Sequence, residues 1–407
     1  MARTIALMVA VLTLIAMPGV TSFASKDDVA KPAGMTVHEW GTFTSVAGAD
    51  GKVAMWLPLS GPADLPCFVE FENRLFKSLG PIAVNTGRKQ LTYLQARSQL
   101  VAPIRMETPV LYFYTDQPQR VDVRVAFPKG FITEWYPTAK VNQTSLQTGV
   151  LDRSLNTNAS INWKNVEVLA ADAKVSFPTS KSTSHYYAAR STDANPIRVA
   201  GQNEKFLFYR GVGGFAVPIN VTVTNAGKIN VNHLEGKPHA ILFERRGDRL
   251  GYTVLDTTKA EIVVDTPALT SNFEALLVEL ESALVDRGLY AREAKAMVET
   301  WRDSWFEEGT RIFYIVPETM VDAMLPLTIE PRPVKVARVF VGRVEVFTPE
   351  TIAAVERAVY ANDTSVLANY GRFLGPILER VPGSNRVNSV LNAAFTKYVD
   401  QAARCSN

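Results

Sequence analysis

His38-Glu39-Trp40-Gly41-Thr42-Phe43-Thr44 is the densest reactive run of the chain. A histidine can carry a proton near neutral pH or ligate a metal, and a glutamate can do either as well. Adjacent strand residues point to opposite faces, so His38 and Glu39 share one site only if the backbone leaves a regular strand. A metal pair usually shows tighter spacing, such as two histidines four apart on a helix, and that is absent here. The metal and any other cofactor therefore stay unknown. The plainer reading of His38 is a histidine hydrogen-bonded at a sheet edge.

Glu134-Trp135-Tyr136-Pro137 sets a second carboxylate beside aromatic rings. With Glu39 it would make the acid and base, or acid and nucleophile, of a glycosidase. The chain holds 40 acidic residues, so chance pairings of this kind are abundant. His185-Tyr186-Tyr187 lies in the polar stretch from Pro178 to Pro196, which reads as a long loop, and such loops often carry function. The candidate catalytic residues are thus His38, Glu39, Glu134 and His185. The candidate binding aromatics are Trp40, Trp135, Tyr136, Tyr186 and Tyr187, whose rings can stack on a sugar while their polar tips hydrogen-bond. Against this, the loop reads equally as a flap whose aromatics dock on the sheet. His233 and His239 flank Gly236-Lys237-Pro238, either as a metal pair closed by a hairpin or as two surface histidines beside a turn. Tyr209-Arg210-Gly211-Val212-Gly213-Gly214 is glycine-rich, but no helix follows to complete a phosphate cradle. There is no Gly-x-Ser-x-Gly elbow and no EF-hand, zinc-ribbon or haem-attachment spacing.

The His38 and Glu134 segments, with Met106-Glu107-Thr108-Pro109 and the run Glu299-Thr300-Trp301-Arg302-Asp303-Ser304-Trp305-Phe306-Glu307-Glu308-Gly309, resemble a group of exported bacterial proteins that share the His-Glu-Trp-Gly-Thr-Phe-Thr segment. The matching stretches are spread over most of the chain. The resemblance implies export and brings no activity with it.

The beginning of the chain points the same way. A basic start at Arg3, an apolar run from Ile5 to Met17, a break at Pro18-Gly19 and the small-x-small triplet Ser22-Phe23-Ala24 form a secretory signal over residues 1–24. The mature chain then begins near Ser25, with a flexible lead-in over 25–36, in the periplasm or outside the cell. No second apolar run reaches the roughly 18 residues of a membrane span. Lysine and arginine are interspersed with acids at a net charge of +3, without the concentrated patch that nucleic acid requires. Cys67 and Cys405 meet the oxidising conditions that permit a disulfide, and two separate buried thiols are the other reading.

The elements that must position these residues fall into two parts. Residues 37–265 read as a β-rich module. Val121, Val123, Val125 and Phe127 alternate with polar positions, and further short strands recur from Phe131–Tyr136 to Glu261–Asp265 with turn signals between them. That pattern predicts an antiparallel sandwich or barrel, with a sandwich-like module the expected form. Residues 266–407 read as a mainly α-helical module with a few strands. It has an αα-hairpin from Phe273 to Trp305, strands at Arg311–Val316 and near Val334–Phe347, and helices near Pro349–Ala361, Ser365–Arg380 and Ser384–Arg404. The expected fold class is α+β. The expected function is a non-catalytic protein of the envelope that binds carbohydrate or peptide. The alternative is a secreted hydrolase or metal-dependent enzyme using His38 and Glu39 with His185 or Glu134.

Overall fold

The computed structural model describes residues 34–61, 64–72, 99–146, 149–181, 184–232 and 236–382, together with 387, 389–390 and 393. The expected signal segment, most of the expected lead-in, His233, Cys405 and nearly all of the expected last helix lie outside the described residues. Thr36, expected at the end of the lead-in, already belongs to the first strand.

Strands are numbered in chain order. The largest sheet has nine, in the order β14 (Arg249–Val254), β13 (Ala240–Arg246), β16 (Gly309–Ile315), β18 (Lys335–Val346), β1 (Thr36–Val46), β3 (Ile104–Tyr114), β10 (Leu207–Gly213), β5 (Gly130–Tyr136) and β2 (Glu70–Phe71). It is mixed, since β1 runs parallel to β18 and antiparallel to β3. A second sheet joins β17 (Leu327–Glu330), β4 (Gln119–Phe127), β7 (Ala159–Val168), β8 (Ile197–Val199) and β9 (Gln202–Glu204), with β6 (Lys140–Asn142) also on β7. The third is small: β11 (Asn220–Val223), β12 (Ile229–Asn232) and β15 (Glu261–Val264).

The helices are α1 (Phe273–Asp286), α2 (Ala291–Trp305), α3 (Glu318–Met324), α4 (Pro349–Ala361), α5 (Thr364–Ala368) and α6 (Leu374–Leu378). The predicted αα-hairpin is α1 and α2. Asn272 caps α1 by accepting from the Ala275 amide at 3.2 Å, as a short polar side chain does at a helix start.

A mainly helical C-terminal module does not form. Strand makes up 38% of the structure and helix 23%, and β16 and β18 sit inside the nine-stranded sheet. Two physical causes explain the correction. The pairing of β1 with β18 joins segments about 300 residues apart, and local periodicity carries no mark of so distant a partner. The helix expected over Ser365–Arg380 is also interrupted. Gly371 adopts a left-handed φ of 49°, and a three-residue 3-10 turn, Gly371–Phe373, separates α5 from α6. Nor is the first part a simple sandwich, because its central strand takes a parallel neighbour from the far end of the chain.

The nine-stranded sheet is covered on both faces. On one face Val37, Phe43, Leu111 and Phe113 pack toward Val123, Val125, Ile161 and Trp163 of the second sheet. On the other, Trp40, Tyr112, Phe208 and Phe313 pack under α1 and α2. Further along that face Val46 and Phe347 meet α4, α5 and α6. Each fully buried large side chain contributes about 1.5–3 kcal/mol relative to exposure. Between the two helical covers the sheet is crossed by buried charge.

Candidate functional site

The His38–Thr44 run lies wholly within β1 and is buried throughout. His38 faces the α2 side. Its Nδ1 meets Glu293 Oε2 at 2.5 Å, and neither side chain is exposed. The same carboxylate oxygen accepts from the Tyr290 amide at 3.1 Å, so one glutamate starts α2 and ties it to β1. Tyr290 and Tyr114 enclose the imidazole, with ring centroids 4.5 and 5.3 Å away. His38 Nε2 is buried without a hydrogen-bond partner among the described residues.

Glu39 faces the other way, as the strand period requires. It accepts from the Tyr209 hydroxyl at 2.7 Å and from Arg338 Nε at 2.7 Å. Arg338 Nη2 lies 2.6 Å from Glu39, and its Nη1 donates to Asp322 of α3 at 2.8 Å. Burial pushes the Tyr209 hydroxyl well above its usual range, and the Glu39 charge pushes it further. Trp40 is fully buried beside Tyr112, their centroids 5.9 Å apart. Thr44 donates to Glu107 at 2.6 Å. These side chains fasten β1 to α2, β3, β10 and β18.

Glu134 belongs to a buried ionic ladder crossing the α2 side of the sheet. Arg311 and Arg343 share Glu345, at 2.8 and 2.6 Å, and Arg343 also reaches Glu307 at 3.1 Å. Beyond Thr44, Arg105 bridges Glu107 and Asp64, at 3.2 and 3.3 Å. Arg210 then bridges Asp64 and Glu134, both at 2.8 Å. Burial pushes the Glu107 carboxyl up, but Arg372, Arg105 and Arg343, with the Thr44 hydroxyl, outweigh it and hold the group at about 2. Arg105 is driven down to about 9, first by burial and then by repulsion from Arg372, against the pull of Glu107 and Asp64.

A depressed carboxylate contributes stability that is complete above its unfolded value and is lost as pH falls through its folded one. Acid titration therefore removes on the order of 3 kcal/mol as Glu107 takes up its proton, between about 4.5 and about 2. Glu107→Gln, followed by chemical denaturation across that window, gives a shallower acid limb. An unchanged limb would count against the assignment.

His185 heads a 3-10 turn, His185–Arg190, and its Nδ1 meets Asp303 Oδ1 of α2 at 2.8 Å. The Asp303 hydrogen bond raises the imidazole's affinity for a proton, burial opposes it, and the net shift is upward. A raised histidine stabilises fully below its unfolded value, and that contribution disappears as pH rises through the folded one. Asp303 is largely exposed, so Asp303→Asn costs only about 0.5 kcal/mol at pH 5 and nothing resolvable at pH 9. Denaturation of both proteins at the two pH values checks this, and equal losses would refute it.

The four candidate catalytic residues do not converge. His38 and His185 are held at Glu293 and Asp303, ten positions apart on α2, which is about 15 Å of helix. Glu39 lies through the sheet from both. His185 and Glu134 share one region, linked through Asp64: Ser184 donates to the Asp64 carbonyl at 2.5 Å, and Arg210 joins Asp64 to Glu134. Of the candidate binding aromatics only Tyr187 is not buried. Trp135 donates to Glu70 at 2.9 Å, the Tyr186 hydroxyl to Glu204 at 3.0 Å, and Tyr136 is buried. Tyr187 accepts from the Ser180 amide at 2.8 Å and lies against Arg190. The loop aromatics are docked.

No family model matches this chain, and no curated protein does either. Among the described residues no three His, Cys, Asp or Glu side chains come together as metal ligands. His239 pairs with Glu279 at 3.1 Å. No helix among the described residues is long and apolar enough to cross a membrane.

A cleft of about 690 Å³ opens between β17 and β18, the size of a small-ligand site. Leu327, Ile329, Pro333 and Val336 give it apolar walls, Glu318, Asp322 and Glu330 stand at it, and Arg338 closes it on the Glu39 side. β17 is the terminal strand of its sheet, paired only with β4 among the described residues. Sequence reading passed over this cleft because its residues are ordinary one by one. Leu327–Glu330 is too short a strand to alternate visibly. It also passed over the ladder, because the alternating charges of β3 and β18 look just like those of β4 and β7, where Arg120 and Lys164 reach solvent.

Proposed function

We propose that this chain is an exported, non-catalytic protein that binds an extended peptide with basic side chains, presented by a partner in the envelope. The observation that carries the reading is the cleft beside the terminal strand β17. A strand edge offers backbone hydrogen bonds to an extended segment, and flanking pockets select alternate side chains. Asp322 is taken up by Arg338, and Glu318 and Glu330 against exposed Arg332 favour lysine and arginine in the guest. Docked aromatics leave little platform for sugar stacking, which moves the balance from carbohydrate to peptide. Fluorescence anisotropy with labelled lysine-rich and glutamate-rich peptides tests the proposal. Basic peptides bind and acidic ones do not, and Glu318→Lys with Glu330→Lys weakens binding roughly tenfold. Equal binding of both peptide sets, or of neither, would end it.

A hydrolase is the second reading, favoured by one observation: the half-exposed His185 is oriented by Asp303, as a general base needs. Turnover of ester or peptide substrates, lost in His185→Gln, would support it, and no turnover by the native protein would dismiss it. Export and the kinship with proteins carrying the His-Glu-Trp-Gly-Thr-Phe-Thr segment belong to the same proposal. The protein recovered from periplasm or medium starts near Ser25, and a start at Met1 would refute processing. A Cys67–Cys405 bridge, whose second half lies outside the described residues, is tested by thiol titration. Two thiols reacting only after unfolding would exclude it.

A further inference from the structure

The buried ladder contains one arginine that the rest of the network does not satisfy. Arg372, in the 3-10 turn before α6, has a side chain only 7% exposed. Its guanidinium makes no hydrogen bond among the described residues, and its nearest acids, Asp64 Oδ2 and Glu107 Oε2, stand off at 3.9 Å. Those acids are already engaged. Asp64 holds Arg210 at 2.8 Å and Arg105 at 3.3 Å, while Glu107 accepts from Thr44 at 2.6 Å and faces Arg105 at 3.2 Å. Glu134 serves Arg210 from its other side at 2.8 Å.

Three guanidinium groups thus gather around Asp64, and the third has no close acceptor among the described residues. A largely buried charge is normally both paired and hydrogen-bonded. The repulsion is visible in Arg105, whose proton affinity falls under burial and the nearby Arg372 charge. Asp64 itself is 10% exposed, and Ser184, which bonds its carbonyl, adjoins the partly exposed His185.

We infer that Arg372, together with Arg105 and Arg210, forms a binding site for a single oxyanion group, a phosphate or a carboxylate of a small ligand, entering past His185 and Asp303. The planar fork of arginine matches two oxygens of such a group. The site lies on the opposite face of the sheet from the cleft at β17, and it stands or falls independently of peptide binding.

The test uses the full mature chain and three probes, inorganic phosphate, sulfate and acetate, against chloride at constant ionic strength. Isothermal calorimetry finds saturable binding of at least one oxyanion and none of chloride. Arg372→Gln weakens that binding tenfold or more, and Arg372→Lys, which keeps the charge but loses the fork, weakens it less. Sulfate and phosphate strengthen burial in any protein, so a rise in melting temperature that is the same in native and Arg372→Gln chains would overturn the site. Absence of saturable binding by all three probes overturns it too. Should Arg372→Gln fail to fold, native crystals soaked in selenate decide the matter. Anomalous density within hydrogen-bond reach of Arg372 supports the inference, and density elsewhere or none refutes it.

Discussion

Glu39→Ala removes on the order of 3–5 kcal/mol of stability, enough to leave little native protein in a chain of ordinary margin. Arg338 is the reason. Its side chain is 2% exposed, and both Nε and Nη2 rest on the Glu39 carboxylate, at 2.7 and 2.6 Å. Without that carboxylate a buried guanidinium keeps only the exposed Asp322, and the Tyr209 hydroxyl loses its acceptor. Most of the cost is the stranded charge rather than the lost attraction, so removing both partners should be milder. Glu39→Leu with Arg338→Met recovers at least half of the single-variant loss in a urea-denaturation cycle. A single-variant loss under 1 kcal/mol would show that Glu39 is not tied to Arg338 in the way described.

Glu345→Ala has the larger effect of the two, because one carboxylate serves two buried arginines. Arg311 Nε lies 2.8 Å and Arg343 Nη2 2.6 Å from the same oxygen. Burial already pushes Arg311 down to about 10 with Glu345 in place. Arg343 retains Glu307 and the Ser304 carbonyl, at 3.1 and 2.6 Å, whereas Arg311 keeps only backbone carbonyls near the end of α2. The expected loss is at least about 4 kcal/mol, and the protein is recovered unfolded. Glu345→Gln, which keeps an acceptor oxygen but no charge, loses about half as much. Circular dichroism during thermal unfolding reads both, and a Glu345→Ala protein melting within a few degrees of the native one would sink the prediction.

Local pattern made some of this legible. The strand period alone placed His38 and Glu39 on opposite faces, and helical spacing with a capping residue found α1 and α2. Arg311–Val316 and Val334–Phe347 were readable as strands, yet nothing near them says that they occupy the middle of a sheet. That information lies in β1, about 300 residues earlier. The site suffered from the same limit. Glu134 and His185 stand out by their neighbours in sequence, but the groups that join them, Asp64 and Arg210, do so only across strands. Arg372 follows Tyr370-Gly371 in what looks like an ordinary helix. Its unmet donors appear only when the acids around it are seen to be engaged elsewhere.

The parallel pairing of β1 with β18 also sets a clock. At a synthesis rate of about 5–20 residues per second, β18 follows β1 by roughly 15–60 s. Throughout that interval the central strand of the largest sheet has no partner on one edge, and unpaired edges of this kind recruit other chains. Whatever handles the nascent polypeptide has to shield His38 to Val46 until residue 346 has arrived. Chains truncated before that point should accumulate as aggregates rather than as a smaller folded unit.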